Sequence, residues 1–126
     1  MGRSTKRAGF VSTPETLRRR TKAFALRVIR LVQSLAPGRV ADVRGKQLLR
    51  SGTSVGANCR AACRARSRAE FVAKMGIVEE EADETIYWME LLGESGLMPS
   101  SRLRSLMDEA SELVAIAVSS IRSARK

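Results

Sequence analysis

The segment from residue 67 to residue 96 reads SRAEFVAKMGIVEEEADETIYWMELLGESG, and it decides the fold class. Ser67 followed by Glu70 forms a capping box, which marks the start of a helix. Gly93 and Gly96 mark its end. Apolar residues recur at helical spacing between these signals, at Phe71, Met75, Val78, Ala82, Ile86, Met89 and Leu92. The pattern predicts one long amphipathic helix.

Three other segments carry the same period. A first helix is predicted from Thr13-Pro14-Glu15 to Ala36-Pro37-Gly38, a second from about Val40 to Ala65, and a fourth from Pro99-Ser100-Ser101 onward. Aromatic residues make up only 4% of the chain, which is typical of helix-on-helix packing. Because the connections are short, we predict an all-α, antiparallel up-down-up-down four-helix bundle over residues 13–126. The basic segment 1–12 has no period and is expected to be a disordered tail.

The middle of the second helix is unusually rich in small residues. It reads SGTSVGA over residues 51–57, on a thin apolar stripe of Val43, Leu48, Val55, Cys59 and Ala62. A glycine inside a helix costs about 1 kcal/mol relative to alanine. Gly52 and Gly56 are therefore explained either by tight helix packing within the bundle or by a subunit interface.

Charge is distributed unevenly along the chain. Residues 1–68 hold 17 basic residues against Glu15 and Asp42, a net charge of +15, whereas residues 69–126 hold 6 basic and 11 acidic residues, a net charge of −5. Arginine binds phosphate through a bidentate fork. The candidate nucleic-acid-binding residues form one cluster on the first helix and one around the second corner: Arg18, Arg19, Arg20, Lys22, Arg60, Arg64, Arg66 and Arg68.

Two structural alternatives to phosphate binding stay open for the corner cluster. Its arginines form a row at 60, 64 and 68, which could face the acidic residues of the third helix within one subunit or between subunits. They could equally be a solvated face. Phosphate binding is more credible for the run 18–20, which has few acids near it in sequence. The acidic residues in question are Glu79, Glu80, Asp83 and Glu84.

No combination of residues indicates catalysis. Di-iron bundles pair glutamates with histidines, and this chain has no histidine. The acidic run is better explained by salt bridges than by Mg²⁺, and no general base accompanies Ser51, Ser54 or Cys59. Cys59 and Cys63 are interpreted as small core residues of a reducing compartment, with an intermolecular zinc or redox role as the alternative. We therefore expect a non-enzyme without metal or cofactor.

The same sequence predicts a cytoplasmic protein without membrane association. No apolar run approaches the ~20 residues of a membrane span. The basic N-terminus is not followed by the apolar region of a secretory signal.

The middle of the chain resembles a known bacterial family. The resemblance rests on SVGAN at 54–58, RSRAEF at 66–71 and EEADET at 80–85, and it extends over roughly residues 20–122. These stretches are similar to the four-helix-bundle proteins encoded within intervening sequences of large-subunit ribosomal RNA genes. They are similar as well to the accessory variability protein of diversity-generating retroelements, which works beside a reverse transcriptase and RNA.

The resemblance implies a homopentamer with no known enzymatic activity and a link to nucleic acid, with a reverse transcriptase or another protein as a possible partner. Many members have Asn-Ile-Ala-Glu-Gly where this chain has NCRAA at 58–62, so a role of that glutamate does not transfer. Asn58 matches, and an asparagine inside a helix suggests a specific hydrogen bond.

Trp88 and Leu91 widen the apolar face of the third helix beyond what one partner helix needs. The candidate interface residues are Gly52, Gly56, Asn58, Glu80, Asp83, Glu84 and Trp88.

Two functions are compatible with these observations. The first is an oligomeric basic bundle that binds the RNA or DNA backbone through its arginine clusters. The second is a protein-interaction scaffold, or an accessory subunit, whose charged faces contact other subunits and partners.

Overall fold

The computed structural model describes residues 13–126, which form four α-helices joined by three short loops. The helices are α1 (Pro14–Gln33), α2 (Arg39–Cys63), α3 (Arg68–Glu94) and α4 (Ser100–Ala124). Within residues 13–126 there is no strand, and the predicted antiparallel four-helix bundle is confirmed. The tail predicted over residues 1–12 lies outside the described residues.

The caps explain why α1 and α3 begin where the sequence predicts. The Thr13 hydroxyl accepts a hydrogen bond from the Thr16 amide at 3.1 Å, and Pro14 occupies the first helical position. Ser67 likewise accepts from the Glu70 amide at 3.0 Å. The Glu70 carboxylate, in turn, accepts from the amide of Arg66 at 3.0 Å, one residue before the usual partner in a capping box.

The turn between α3 and α4 depends on Gly96. Its φ of +80° lies in the left-handed region, which glycine enters without steric cost. The amides of Leu97 and Met98 then donate to the Leu92 carbonyl at 3.1 and 3.2 Å, and Met98 is buried. This closure reverses the chain, so that α4 runs antiparallel to α3.

Aliphatic side chains and methionines fill the core between the helices. Each helix packs along its length on the helix that follows it in sequence, whereas α1 and α4 approach each other least closely of the four neighbouring pairs. The largest fully buried hydrophobic side chains are Phe24, Leu48, Met75, Met89, Leu92, Leu103 and Leu113.

The core differs from the predicted one at a few positions. The prediction that Val43 points inward is wrong, because its side chain is 46% exposed on the outer side of α2. Thr21, Ser51 and Thr85 are buried instead. Their hydroxyls are satisfied inside the protein: Thr21 donates to the Arg18 carbonyl at 3.1 Å, for example. A hydropathy period does not identify such residues, because it treats them as polar.

Candidate nucleic-acid interface

The surface between α1 and α2 is shaped by two glycines. A Cβ atom placed on Gly52 would lie 2.8 Å from both Cγ atoms of Val28, and one on Gly56 would lie 3.3 Å from the Thr21 carbonyl oxygen. Both glycines therefore allow α1 to approach α2 closely. The structure accounts for them inside one chain and favours the first of the two explanations drawn from the sequence.

The close approach leaves a groove of about 640 Å³ on the outer side of α1 and α2. Both sequence clusters contribute to this surface, which we call the basic groove. Its cationic side chains are Arg18, Arg19 and Lys22 from α1, Arg60 from α2, and Arg64, the residue that follows α2. Glu15 is the one acid among the described residues that line it, and its carboxylate lies 3.6 Å from the Arg19 guanidinium in a largely exposed pair.

Small residues form the rest of the groove lining: Thr21, Ala25, Thr53, Gly56 and Ala57. The Thr53 hydroxyl donates to the Leu49 carbonyl at 2.8 Å, within its own helix. None of the described residues that line the groove is aromatic, so this part of the chain offers no stacking platform for bases there. It therefore offers positive charge around a floor of small side chains, which suits a chain of phosphates.

Arg20 has a different environment from its neighbours in the run. Its guanidinium donates to both oxygens of Glu109 at 2.8 and 2.9 Å and also to Glu112, both on α4. These hydrogen bonds raise the pKa of Arg20, chiefly through Glu109 and against the opposing effect of burial. Within this chain Arg20 thus links α1 to α4 and does not line the basic groove.

The corner arginines are divided as well. Arg66 and Arg68 are exposed beside the second corner and do not line the basic groove. Within residues 13–126, none of Arg60, Arg64 and Arg68 forms a salt bridge with an acid of α3, so the alternative in which this row faces those acids inside one subunit is not observed. Arg60 and Arg64 lie instead on the side that faces the groove shared with α1. In addition, Ser51 lies level with Thr85, which places both arginines beside the first turns of α3, before the acidic run begins.

The other candidate interface residues lie on or near the side of the bundle formed by α2 and α3. The Asn58 side chain donates to the Ser54 carbonyl at 2.9 Å and to its hydroxyl at 3.1 Å, so its hydrogen bonds are local. Glu84 lies 3.6 Å from Arg50. Glu80 and Asp83 are exposed on α3.

Trp88 is half-buried on the same side. The Arg44 guanidinium lies 5.4 Å from the centre of its ring, and the ring of Tyr87 lies 5.0 Å away in an edge-to-face arrangement. Its indole Nε1 is buried and has no hydrogen-bond partner within residues 13–126. Among the described residues, Gln47 Oε1 and Glu81 Oε1 are also buried without a hydrogen-bond partner. Burial, followed by the charge of Glu84, raises the pKa of Glu81.

The two cysteines are free thiols near the end of α2. Cys59 is fully buried, and burial raises its pKa to about 11, whereas Cys63 is only partly buried. No cluster of three or more acidic or cysteine side chains able to hold a metal occurs between Thr13 and Lys126.

The sequence analysis did not identify the small residues that line the floor of the groove. It also did not identify the contacts that Arg44 and Arg50 of α2 make with Trp88 and Glu84 of α3. The signal for the floor was present, because Thr53, Ala57, Arg60 and Arg64 follow one another at helical spacing and thus share one side of α2. What the sequence did not supply was the register that places this side beside Arg18 and Lys22.

None of the four described helices has the length and apolar character to cross a membrane. None of the curated proteins matches the chain. The chain is similar to a solved crystal structure, that of a protein with unknown function from the S23 ribosomal protein family of Bacteroides thetaiotaomicron VPI-5482. The two sequences are 37% identical, and the two structures superpose with a TM-score of 0.78. The match covers 83% of this chain and 97% of that one. The family of 23S rRNA-intervening sequence proteins matches residues 16–119. The chain therefore belongs to the 23S rRNA-intervening sequence protein family.

Proposed function

We propose that this protein is a non-enzymatic binder of the nucleic-acid backbone, RNA or DNA, and that the basic groove is its binding surface. The observation that carries the proposal is that five cationic side chains, from α1 and from the C-terminal end of α2, converge on one groove. Glu15 is the single acid among the described residues that line it. Phosphates carry the charge that such a groove complements, and backbone contacts dominate sequence-independent affinity.

The length of the groove fits several phosphates. Its α1 side runs from Glu15 to Ala25, a rise of about 15 Å at about 1.5 Å per residue. One strand of a duplex advances about 3.4 Å along its axis per phosphate. Because a strand winds around the axis, its successive phosphates lie farther apart than this axial rise, so the groove holds fewer than about four consecutive phosphates of one strand.

The salt dependence of binding tests this proposal. Each neutralised phosphate contributes about −0.9 to the slope of log K against log salt on duplex DNA, so up to five contacts predict a slope of about −4 to −5. Arg18→Ala with Arg60→Ala should make the slope shallower by about two units and weaken binding to RNA and DNA duplexes of any sequence.

A matched control removes the same charge elsewhere. Arg122→Ala with Arg125→Ala takes two exposed cations from the end of α4, which does not line the groove, and should leave the slope nearly unchanged. Equal losses in the two double variants would mean that net charge alone drives binding. Absence of binding at low salt would overturn the proposal entirely.

The proposal includes assembly from several identical chains in the cytoplasm. Five copies is the number that the resemblance implies, and two free cysteines suit a reducing compartment. The native mass in solution tests the assembly: about 69 kDa is expected for five chains of 13.8 kDa. A mass of 13.8 kDa at all concentrations would contradict it.

A protein-interaction scaffold is the second candidate, and the outer surface of α3 favours it. Glu80 and Asp83 are exposed and form no salt bridge within residues 13–126, so they are available to a basic protein such as a reverse transcriptase. Glu80→Lys with Asp83→Lys should then abolish co-purification with that enzyme, whereas Arg18→Ala with Arg60→Ala should not. Co-purification that survives the lysines would contradict this function.

A further inference from the structure

The register of α1 against α2 fixes where the cations of the basic groove lie. At one contact, a Cβ atom on Gly56 would be 3.3 Å from the Thr21 carbonyl oxygen. At another, the Cys63 Sγ lies 3.9 Å from the Pro14 carbonyl oxygen. The separation along the chain is the same on both helices, from 56 to 63 and from 14 to 21. Between these contacts the residues of α1 and α2 therefore pair one to one in antiparallel order.

Three guanidinium groups originate at nearly the same level of this register. Arg60 lies opposite position 17, next to Arg18 and Arg19, so the three Cα atoms fall within about 3 Å along the helix axis. Lys22 is about one turn further along α1, and Arg64 is about one turn nearer the second corner. All of these side chains are exposed. Positive charge is thus densest at Arg18, Arg19 and Arg60, which we call the arginine trio.

The groove differs on the two sides of the arginine trio. Toward the second corner, Glu15 on one wall faces Arg64 on the other, so this side adds no net positive charge. In the opposite direction the described lining continues over the small uncharged side chains of Ala25, Thr53 and Ala57, beside one lysine. A bound strand therefore finds room on one side of the trio and an acid on the other.

An internal phosphate of a strand uses the arginine trio poorly. Phosphodiesters carry one charge each and follow one another at about 3.4 Å or more, so about one of them meets all three arginines. A terminal phosphate carries a charge of about −1.5 to −2 at pH 7 and has three strong acceptor oxygens. It can therefore accept hydrogen bonds from more than one guanidinium fork, which a diester with two free oxygens does less well.

We propose that the arginine trio binds the terminal phosphate of a nucleic-acid strand, and that the adjoining nucleotides lie over the small uncharged side of the groove. The inference rests on the proposed function and names the part of the strand that the groove prefers. Free phosphates such as pyrophosphate share the chemistry of a strand end, but they bring no nucleotides to the uncharged side.

Fluorescence anisotropy of one short RNA strand with an internal label tests the inference. The strand is prepared with hydroxyl groups at both ends, with a 5′-phosphate and with a 3′-phosphate. At low salt, at least one phosphorylated form should bind about tenfold or more tightly than the hydroxyl form, because it adds charge-assisted hydrogen bonds. A hydroxyl-ended strand two nucleotides longer has about the same total charge as the phosphorylated forms and should not reproduce this gain.

Variants of the protein locate the effect. Arg18→Ala with Arg60→Ala should reduce the ratio of the two affinities to about one, because a single arginine of the trio is left. Arg39→Ala with Lys46→Ala removes two exposed cations from the first half of α2, outside the groove, and should leave the ratio unchanged. Circular dichroism checks that both variants remain helical.

Phosphorus NMR of the complex provides an independent measurement on the wild-type protein. The resonance of the terminal phosphate should shift on binding by more than those of the internal phosphates. Unlabelled hydroxyl-free competitors separate the two sources of the same chemistry: inorganic pyrophosphate should displace the phosphorylated strand only at much higher concentration than the unlabelled strand does.

Four results would overturn the inference: equal affinity of all forms, an equal gain for the longer hydroxyl-ended strand, a preference that survives Arg18→Ala with Arg60→Ala, or displacement by pyrophosphate as effective as that by the strand. In each of these cases the hydroxyl-ended strand still reports backbone binding, so the proposed function is judged separately. Absence of binding by every form at low salt would overturn both.

Discussion

At the residue scale, Cys59 and Cys63 differ in reactivity although they lie one helical turn apart. The thiolate is the nucleophile, and burial raises the pKa of Cys59 to about 11. Cys63 is partly exposed, with its Sγ 3.9 Å from the Pro14 carbonyl oxygen. At about pH 8 we expect iodoacetamide to modify Cys63 well before Cys59.

The labelling of Cys59 should also depend strongly on pH. In a Cys63→Ser variant its rate should rise as the pH approaches about 11, because the thiolate fraction grows toward the folded-state pKa. Mass spectrometry of tryptic peptides measures the two sites separately. In denaturant both cysteines should react at similar rates. A Cys59 that reacts as fast as Cys63 in the native protein would contradict the burial of its thiol.

Single residues differ in how far the sequence alone could place them. The caps at Thr13 and Ser67 were predictable, because a capping hydrogen bond joins residues three apart. The partner of Asn58 is equally local, at Ser54. The partners of Arg20 were not predictable, since Glu109 is 89 residues away, and only the packing of α1 on α4 brings the two together.

At the scale of elements, the contact between α1 and α2 depends on the absence of a side chain at Gly52. Val28 is β-branched and has little freedom at χ1, so a methyl group 2.8 Å from its Cγ atoms forces the helices apart. Gly52→Ala should cost up to about 2 kcal/mol, because an overpacking penalty of about 1–3 kcal/mol is reduced by about 1 kcal/mol through the higher helix propensity of alanine.

Gly76 provides the control for this prediction. It lies within α3, and a Cβ atom placed on it would have no neighbouring atom within 4 Å, so Gly76→Ala should stabilise the protein by about 0.5–1 kcal/mol. Urea unfolding measures both changes, and Val28→Ala should relieve part of the loss in Gly52→Ala. Stabilisation by both alanines would contradict the close packing of α1 on α2.

The register of α2 against α3 is marked by a buried pair of hydroxyl groups. The Thr85 hydroxyl lies 2.9 Å from that of Ser51 and 2.7 Å from the Glu81 carbonyl oxygen. Ser51→Ala and Thr85→Val should each cost about 1 kcal/mol, and the double variant should cost less than their sum by about 0.5 kcal/mol or more.

A second cycle tests whether this coupling is specific. Thr53→Val removes a hydroxyl that bonds only within α2, so it should combine additively with Thr85→Val. Equilibrium unfolding in urea supplies the four free energies of each cycle. Additivity of Ser51→Ala with Thr85→Val would show that the two hydroxyls do not interact.

The helices themselves were largely predictable, whereas their register was not. Hydropathy period and caps indicated four helices with bounds within a few residues of those observed, because both signals are local. Register depends on which small and polar residues meet, as Ser51 meets Thr85 and Gly56 meets Thr21. The basic groove was not predictable for the same reason. The sequence showed the arginines of α1 and those near the end of α2 as two separate clusters, and only the packing of α1 on α2 brings them together.

At the scale of the whole molecule, the bundle is closed unevenly. The pairs α1–α2, α2–α3 and α3–α4 are each joined by a short loop and pack closely. No loop joins α1 to α4, and these two helices pack least closely; we call the contact between them the seam. Polar side chains cross this seam instead: Arg27 donates to Ser105 at 2.8 Å, and Arg102 donates to Ser34 at 3.1 Å. Arg20, with its two carboxylate partners, is the most heavily bonded of these links.

Arg20→Ala should therefore loosen the seam between α1 and α4. Hydrogen bonds to charged groups contribute about 1.5–3 kcal/mol, so we expect a loss of about 1–3 kcal/mol in urea unfolding. Arg19→Ala removes the neighbouring arginine from a pair whose partners are both 74% exposed, and it should cost less than about 1 kcal/mol. Hydrogen exchange should locate the effect: amides of α1 and α4 lose protection in Arg20→Ala, while those of α2 and α3 keep it. Equal losses in the two variants, or loss of protection spread evenly over all four helices, would mean that Arg20 does not hold the seam.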